Sequence, residues 1–296
     1  MKLVKQNVRV KKKKVRALPY LLIAPPIMFF AVFNFYPFIK TVVSSFSITT
    51  EFGNWLGWAG LTHWKMLFSN DRFWRIVVTT FKFAGMNLVM TFFAAMVLAL
   101  ISAKKAKGQR IYQTLYALPL AIASSPAAVM WQFIYRADAG LLNEFLGTDI
   151  AWLATERTAL TCVAVVTTWT HIASSFIFLL AGFRNVSDDL IEASMLDGAG
   201  PIVRAVKIMI PMASPQIFFV LFLNIVRAFK TFNQIKLLTQ GAPGGSTTTL
   251  MFEVYHKSMI SGQFESACCT AIVMFIIIFL TTRIQFLFEK KMVHYQ

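Results

Sequence analysis

The chain has 296 residues, 57% of them hydrophobic and 14% charged, against roughly 45–50% apolar and 25% charged in soluble domains. That excludes an ordinary water-soluble globule and fits one polytopic membrane domain, which at this length need not divide in two. The formal charge of +16 would suit nucleic acid, but its distribution argues otherwise. Eight Lys or Arg and no acid fall in the first sixteen residues, including the run Lys11 to Lys14, and an apolar segment follows at once. The arm at 1–17 reads as a cytoplasmic anchor before a membrane span, not as a nucleic-acid contact.

A helical span needs about 20 mainly apolar residues. Six segments qualify, at roughly 18–46, 74–103, 110–135, 159–183, 212–238 and 264–288. The first is too long for a signal peptide and has no small-residue cleavage site. It holds Pro25, Pro26 and Pro37, and the third holds Pro119 and Pro126, so kinks held by neighbouring helices are expected. The expected fold is therefore an all-α integral membrane protein of six transmembrane helices over 18–288, with a tail at 289–296.

Lys and Arg set the orientation. The arm, the 104–110 and 184–211 loops and the C-terminal end from Arg283 together carry eighteen, while the opposite loops, about 47–73, 136–158 and 239–263, carry six when Arg75 beside the first is included. Both termini and the 184–211 loop are thus expected in the cytoplasm, where the acceptor pattern Asn185-Val186-Ser187 would go unused. Trp55, Trp58, Trp64, Trp74, Trp131 and Trp152 fall in or beside the outer loops, as an interfacial aromatic belt requires. Cys162, Cys268 and Cys269 sit in apolar segments and read as small buried hydrophobes. The histidines show no metal-ligand spacing, and no metal site is expected.

The 184–211 loop is charged and hinged. Ser187 is a candidate cap, and Asp188 and Asp189 suit the positive end of a helix over about 188–196. Gly198 and Gly200 permit a tight turn, and Pro201 suits the first position of a second helix. There Ile202, Ala205, Val206 and Met209 form one apolar stripe, before Pro211 leads into the fifth span. Physics alone leaves two readings open: a connector lying on lipid headgroups, or a docking element for a cytoplasmic partner.

The residues Glu192-Ala193-Ser194, Asp197-Gly198-Ala199, Ile208 and Pro211 resemble the EAA motif of binding-protein-dependent ABC importer permeases, with nine residues between Gly198 and Ile208 as that motif asks. The segments YQTLYALPLAIASSPAAVMWQFIY (112–135), FKTFNQIKLLTQGAPGGSTTTL (229–250) and FEKKMVHYQ at the end are similar to carbohydrate-uptake permeases, in particular the first permease subunit of maltose and glycerol-3-phosphate systems. The resemblance implies a type I importer permease in the bacterial cell membrane. It implies a second homologous permease, two ATPase subunits that hold the ATP and Mg, and an extracytoplasmic solute-binding protein. It makes Glu192 a charged contact to the ATPase, with Gly198 setting the turn and Ala193, Leu196 and Ala199 filling the ATPase groove. Ser194, Ala205 and Ile210 depart from the motif, where alanine, often an aromatic, and leucine are usual.

The chain itself is not expected to hydrolyse ATP: it has no G-x-x-x-x-G-K-[ST] loop, no Gly followed by Lys, and no recognisable nucleophile motif. No cofactor bound by this chain is expected. Ionisable residues inside spans are candidates for function; here they are Lys40, Lys82, Arg227, Lys230 and Lys236. Asn224, Arg227, Lys230, Asn233 and Gln234 make the fifth span the most polar. Arg227 and Lys230, three apart on a helix, either line a path for an anionic solute or serve the partner permease and the outer interface. Trp169, Phe176, Phe229 and Phe232 are candidates for stacking on a sugar ring, with packing as the alternative. The rival function is a stand-alone secondary transporter or channel. Such a carrier favours membrane-embedded Asp or Glu for ion coupling, and the nearest here is Glu265, at the edge of the sixth span.

Overall fold

The computed structural model describes residues 18–50, 54–104 and 106–292; the basic arm at 1–17 and the end of the tail, 293–296, lie outside them. The first apolar segment is one helical path: α1 (Leu18–Phe30), a π-turn (Ala31–Phe35) and α2 (Tyr36–Ser44). Pro37 falls in the first turn of α2, where a missing amide donor costs little. Residues 20–40 are exposed throughout, because the helix touches the rest of the chain only near its end, as where Phe38 meets Phe275 at 5.0 Å.

A small antiparallel hairpin follows, β1 (Ser47–Thr49) with β2 (Trp55–Trp58), then α3 (Thr62–Phe68). The hairpin corrects the all-helical expectation. Ile48 and Thr49 are β-branched and Trp55 and Trp58 aromatic, the types that suit a pleated strand. Glu265 accepts hydrogen bonds from the Thr49 amide (2.7 Å) and hydroxyl (2.9 Å), so this acid clasps a strand.

Next come α4 (Asp71–Ala103), capped by the Asn70 side chain on the Arg72 amide, and α5 (Gln109–Ala117). A 3-10 turn (Leu118–Ala121) leads to α6 (Ser124–Ile134), then α7 (Leu141–Leu146) and α8 (Glu156–Arg184). The third span, expected as a kinked helix, is two arms bent by 102°, because Ile122 and Ala123 take extended backbone after the Pro119 turn. The remaining elements are α9 (Asp188–Leu196), α10 (Pro201–Arg204), a π-turn (Ala205–Met209), α11 (Ile210–Met212), α12 (Ser214–Phe229), α13 (Asn233–Leu238), α14 (Leu250–Tyr255), a third π-turn (His256–Ile260) and α15 (Phe264–Met292). The helical path bends by 75° ahead of α12. Four helices are long and apolar enough to cross a membrane, or six if each bent pair makes one span. Helix α15 runs past 288, into the stretch expected to be tail.

Helices α4 and α8 form the centre. One apolar cluster gathers Ala95, Ala99, Phe176, Leu179, Phe183 and Val220, and a second holds Phe83, Val163, Ala164, Val166, Ile235 and Leu238. Small residues let helix backbones approach where water supplies no driving force. Asn87 donates to the Ala164 carbonyl (3.4 Å) and to Thr168 (3.2 Å), giving the α4–α8 seam interhelical hydrogen bonds. All three cysteines are buried. Three expected belt residues pack on buried clusters, Trp64, Trp131 and Trp152, and the Trp152 indole donates to Asn143 (2.7 Å). Trp55, Trp58 and Trp74 are exposed.

Candidate coupling elbow and translocation site

The 184–211 segment folds into two helical arms at an angle. Ser187 precedes α9, but its hydroxyl accepts no capping bond; Asp188 and Asp189 occupy the first turn. The helix closes through bonds from the Gly198 amide to the Met195 carbonyl (3.0 Å) and from the Ala199 amide to the Ser194 carbonyl (2.9 Å). Gly198 sits at φ +78°, the left-handed region that favours glycine. Pro201 then opens α10. The π-turn breaks the 3.6-residue period, which corrects the expected stripe: Ile202 and Val206 are 77% and 56% exposed, while Ala205 and Met209 are half-buried.

The motif residues divide by direction. Glu192, Ala193 and Asp197 are exposed, and Leu196, a large apolar side chain, is 90% exposed at the tip. Ser194 points inward, 7% exposed, its hydroxyl donating to the Ile191 carbonyl at 2.7 Å. Ala199 is half-buried, and Ile208 and Pro211 are half-buried at the root of the second arm.

A second constellation forms where α12 stops. Residues 230–232 separate α12 from α13, which corrects the continuous fifth span expected over 212–238. A cavity of about 300 Å³ opens there, lined by residues that include Ser124, His171, Arg227, Lys230, Asn233 and Gln234, with no Asp or Glu among its described lining residues. Arg227 donates to the Ser174 hydroxyl (2.5 Å), which donates to the His171 carbonyl (3.0 Å). Asn233 donates to the Ser124 hydroxyl (2.7 Å), joining α13 to α6. Lys230 ends α12 and is exposed, so the helical face it was expected to share with Arg227 is lost, although both line the same cavity. Lys236 is turned aside, its ammonium over the rings of Tyr255 (4.5 Å) and Phe232 (5.6 Å). A guanidinium, an ammonium and side-chain amides around a cavity without acids offer donors to a solute that is anionic or rich in hydroxyls.

Residues 95–294 match the family described as the binding-protein-dependent transport system inner membrane component. The chain belongs to that family. It is 34% identical over 290 residues to the sn-glycerol-3-phosphate transport system permease protein UgpA of Escherichia coli, covering 95% of this chain and 97% of that one. It is 31% identical over 287 residues to the UgpA of Pectobacterium atrosepticum, at 94% and 96% coverage. A solved bacterial ABC transporter involved in the import of the acidic polysaccharide alginate shares its fold, with a TM-score of 0.84 at 20% identity over 94% of this chain and 96% of that one. This inner membrane component is therefore a permease subunit of an ABC importer, not an enzyme, and ATP hydrolysis belongs to a separate subunit. Membership sets aside the stand-alone carrier or channel.

Within this importer permease, three residues expected on the path are buried between helices. Phe176 (1% exposed) packs edge-on against Tyr116, and Phe229 (4%) against Phe81 at 5.5 Å. Asn224 (1%) accepts from Ser175 at 3.0 Å, between α8 and α12. These are core contacts. Trp169 is half-buried and meets Trp131 edge-on at 6.0 Å. Sequence reasoning missed Ser124, His171 and Ser174. The signal for His171 and Ser174 is the polar run Thr167-Thr168-Trp169-Thr170-His171-Ile172-Ala173-Ser174-Ser175 inside an otherwise apolar helix.

Proposed function

We propose that the chain crosses the membrane six times with both termini in the cytoplasm and forms half of a translocation path with a second, homologous permease. In this reading 1–17 is a cytoplasmic arm, 18–288 the permease domain and 184–211 its coupling loop. Two ATPase subunits carrying ATP and Mg dock on the elbow, and an extracytoplasmic protein delivers the solute. Each bent pair then counts as one span. The Lys and Arg excess on one side of the chain supports this topology.

The elbow couples by contact. Leu196, 90% exposed, enters the ATPase groove beside Ala193 and Ala199, with Glu192 and Asp197 as charged contacts and Gly198 holding the bend. Ile208 and Pro211 root the second arm at the 75° bend before α12. Closure of the ATPase pair on ATP moves the elbow, and the rigid link to α12 carries that motion to the cavity where α12 ends.

The solute is a sugar-sized anion of the glycerol-phosphate class. The observation that carries this is the cavity lined by Arg227 and Lys230 with no carboxylate among its described lining residues. The names of the UgpA relatives agree with it. Asn233 and Trp169 complete the path, and the Arg227–Ser174 bond holds the guanidinium in place. The test is transport by the reconstituted importer with Arg227→Ala and Lys230→Ala, comparing sn-glycerol 3-phosphate with uncharged sugars. Loss is expected to be roughly tenfold or more for the anion, the scale of one charge-assisted contact. Equal loss for charged and neutral solutes would refute charge selection.

A further inference from the structure

A second cavity, of about 510 Å³, lies between the elbow and the helix bundle, away from the translocation site. Its walls include Leu100, Phe183, Met195 and Met209, from the ends of α4 and α8 and from both arms of the elbow. Lys104, Arg184 and Arg204 also line it, against Asp188 as the one acid among its described lining residues. Helix α4 ends at Ala103 and α8 at Arg184. Lys104 and Arg184 therefore stand at the ends of two helices long enough to span, and Arg204 on the elbow, on the side assigned above to the cytoplasm.

Helix ends account for part of this charge. Lys104 follows α4 and Arg184 closes α8, where terminal carbonyls favour cations. Arg204 has no such end beside it, because the helical path continues through the π-turn into α11. Free phosphate would gain nothing from the apolar walls. A nucleotide would look for a stacking ring, and Phe183, 1% exposed, is committed to the core. An amphiphile with an anionic head uses both parts of the groove. Ala205 lines it too, and its single methyl leaves the space open.

We propose that this groove holds an anionic phospholipid, its phosphodiester head among Lys104, Arg184 and Arg204 and one acyl chain along the α4–α8 end. A lipid lodged there braces the elbow against the bundle, so inner-leaflet composition would tune coupling. The proposal rests on the cytoplasmic placement of the elbow, and its test is kept separate from that placement.

The whole importer is purified in neutral detergent and offered phosphatidylglycerol or phosphatidylcholine, and retained lipid is counted by native mass spectrometry. Phosphatidylglycerol is expected to be preferred. A double Lys104→Gln, Arg204→Gln variant loses that preference by roughly tenfold or more, at about fivefold for each cation near an anionic headgroup. The charge-conserving pair Lys104→Arg, Arg204→Lys keeps it, and Ala205→Phe, which fills the groove, abolishes retention with all charges in place. Loss of the same size from Lys65→Gln with Arg75→Gln, outside the groove, would overturn the site, as would displacement of the lipid by inorganic phosphate. Sidedness is read on an Arg204→Cys variant with a membrane-impermeant maleimide, against a background of three buried cysteines. Labelling confined to right-side-out vesicles would overturn the topology, and would do so independently of the lipid count.

Discussion

Two residues apart on α9, Ser194 and Leu196 face opposite ways, at 7% and 90% exposure. The serine at the second alanine of the motif this loop resembles is thus an internal matter, its hydroxyl satisfied by the Ile191 carbonyl. Ser194→Ala is expected to leave ATPase co-purification unchanged and to shift stability by no more than about 1 kcal/mol, the net worth of one such bond. Leu196→Ala removes nothing from this chain's core, so its melting temperature is expected to hold. Co-purification should weaken by about 2 kcal/mol, the scale of an interface anchor. A large drop in melting temperature with intact co-purification would show that Leu196 serves the fold instead. At this scale the sequence was uneven. Arg227 and Lys230 stood out because charge inside a span is costly, whereas His171 and Ser174 did not, since a hydroxyl or imidazole in an apolar helix is commonly a packing residue with a local bond. Phe176 and Phe229 were legible as apolar aromatics, but nothing in their spacing distinguishes a core ring from a lining one.

The four unbroken spans were readable to within a few residues at each end, because each is a long apolar run with polar flanks. The breaks were not. Proline marks the neighbourhood of both, but a proline kink and a bend of 102° or 75° differ only in whether surrounding helices supply partners for the freed backbone groups. The elbow was legible through Gly198 and Pro201, and the π-turn after it was not, since no residue in Ala205–Met209 is foreign to a regular helix. Gly198 and Gly182 are required for different reasons. A Cβ at Gly198 meets nothing within 4 Å, so Gly198→Ala is strained only by its φ of +78°, a cost of about 1–2 kcal/mol. It should loosen the bend, lowering solute moved per ATP hydrolysed while thermal stability changes little. A Cβ at Gly182 would lie 2.8 Å from that of Gln216, which holds α8 and the start of α12 at contact distance. Gly182→Leu is expected to push them apart at roughly 3 kcal/mol or more, read as a lower melting temperature of the solubilised importer.

Across the whole molecule, the end that holds α14 is tied by charge as well as by its buried cluster of Leu67, Phe73, Ile76, Leu250 and Cys269. Glu253, 5% exposed on α14, lies 3.4 Å from Arg72 at the start of α4 and 3.8 Å from Lys257, which donates to Thr270 on α15 at 3.2 Å. Burial holds the Lys257 ammonium below the usual lysine range, against the opposing pull of the Glu253 carboxylate. The sign follows from proton counting. The unfolded chain binds this proton more tightly, so stability rises as pH climbs from the lowered value toward 10.5, and levels off above it. Lys257→Met is expected to flatten that slope in a pH series of melting curves. Glu253→Gln should destabilise by about 3 kcal/mol, because it leaves cations without their carboxylate.

The near-complete exposure of Leu196 has a practical side. Detergent covers greasy belts, and in the topology proposed above the uncovered first helix lies within one while the tip of the elbow projects beyond it. Prepared without its neighbours, this subunit would carry sticky side chains, Leu196 foremost with Ile202 and Val206, that no micelle masks. Aggregates should grow with concentration and disperse when the ATPase is added. The elution profile of a size-exclusion column would then report whether the elbow is engaged, before any transport is measured.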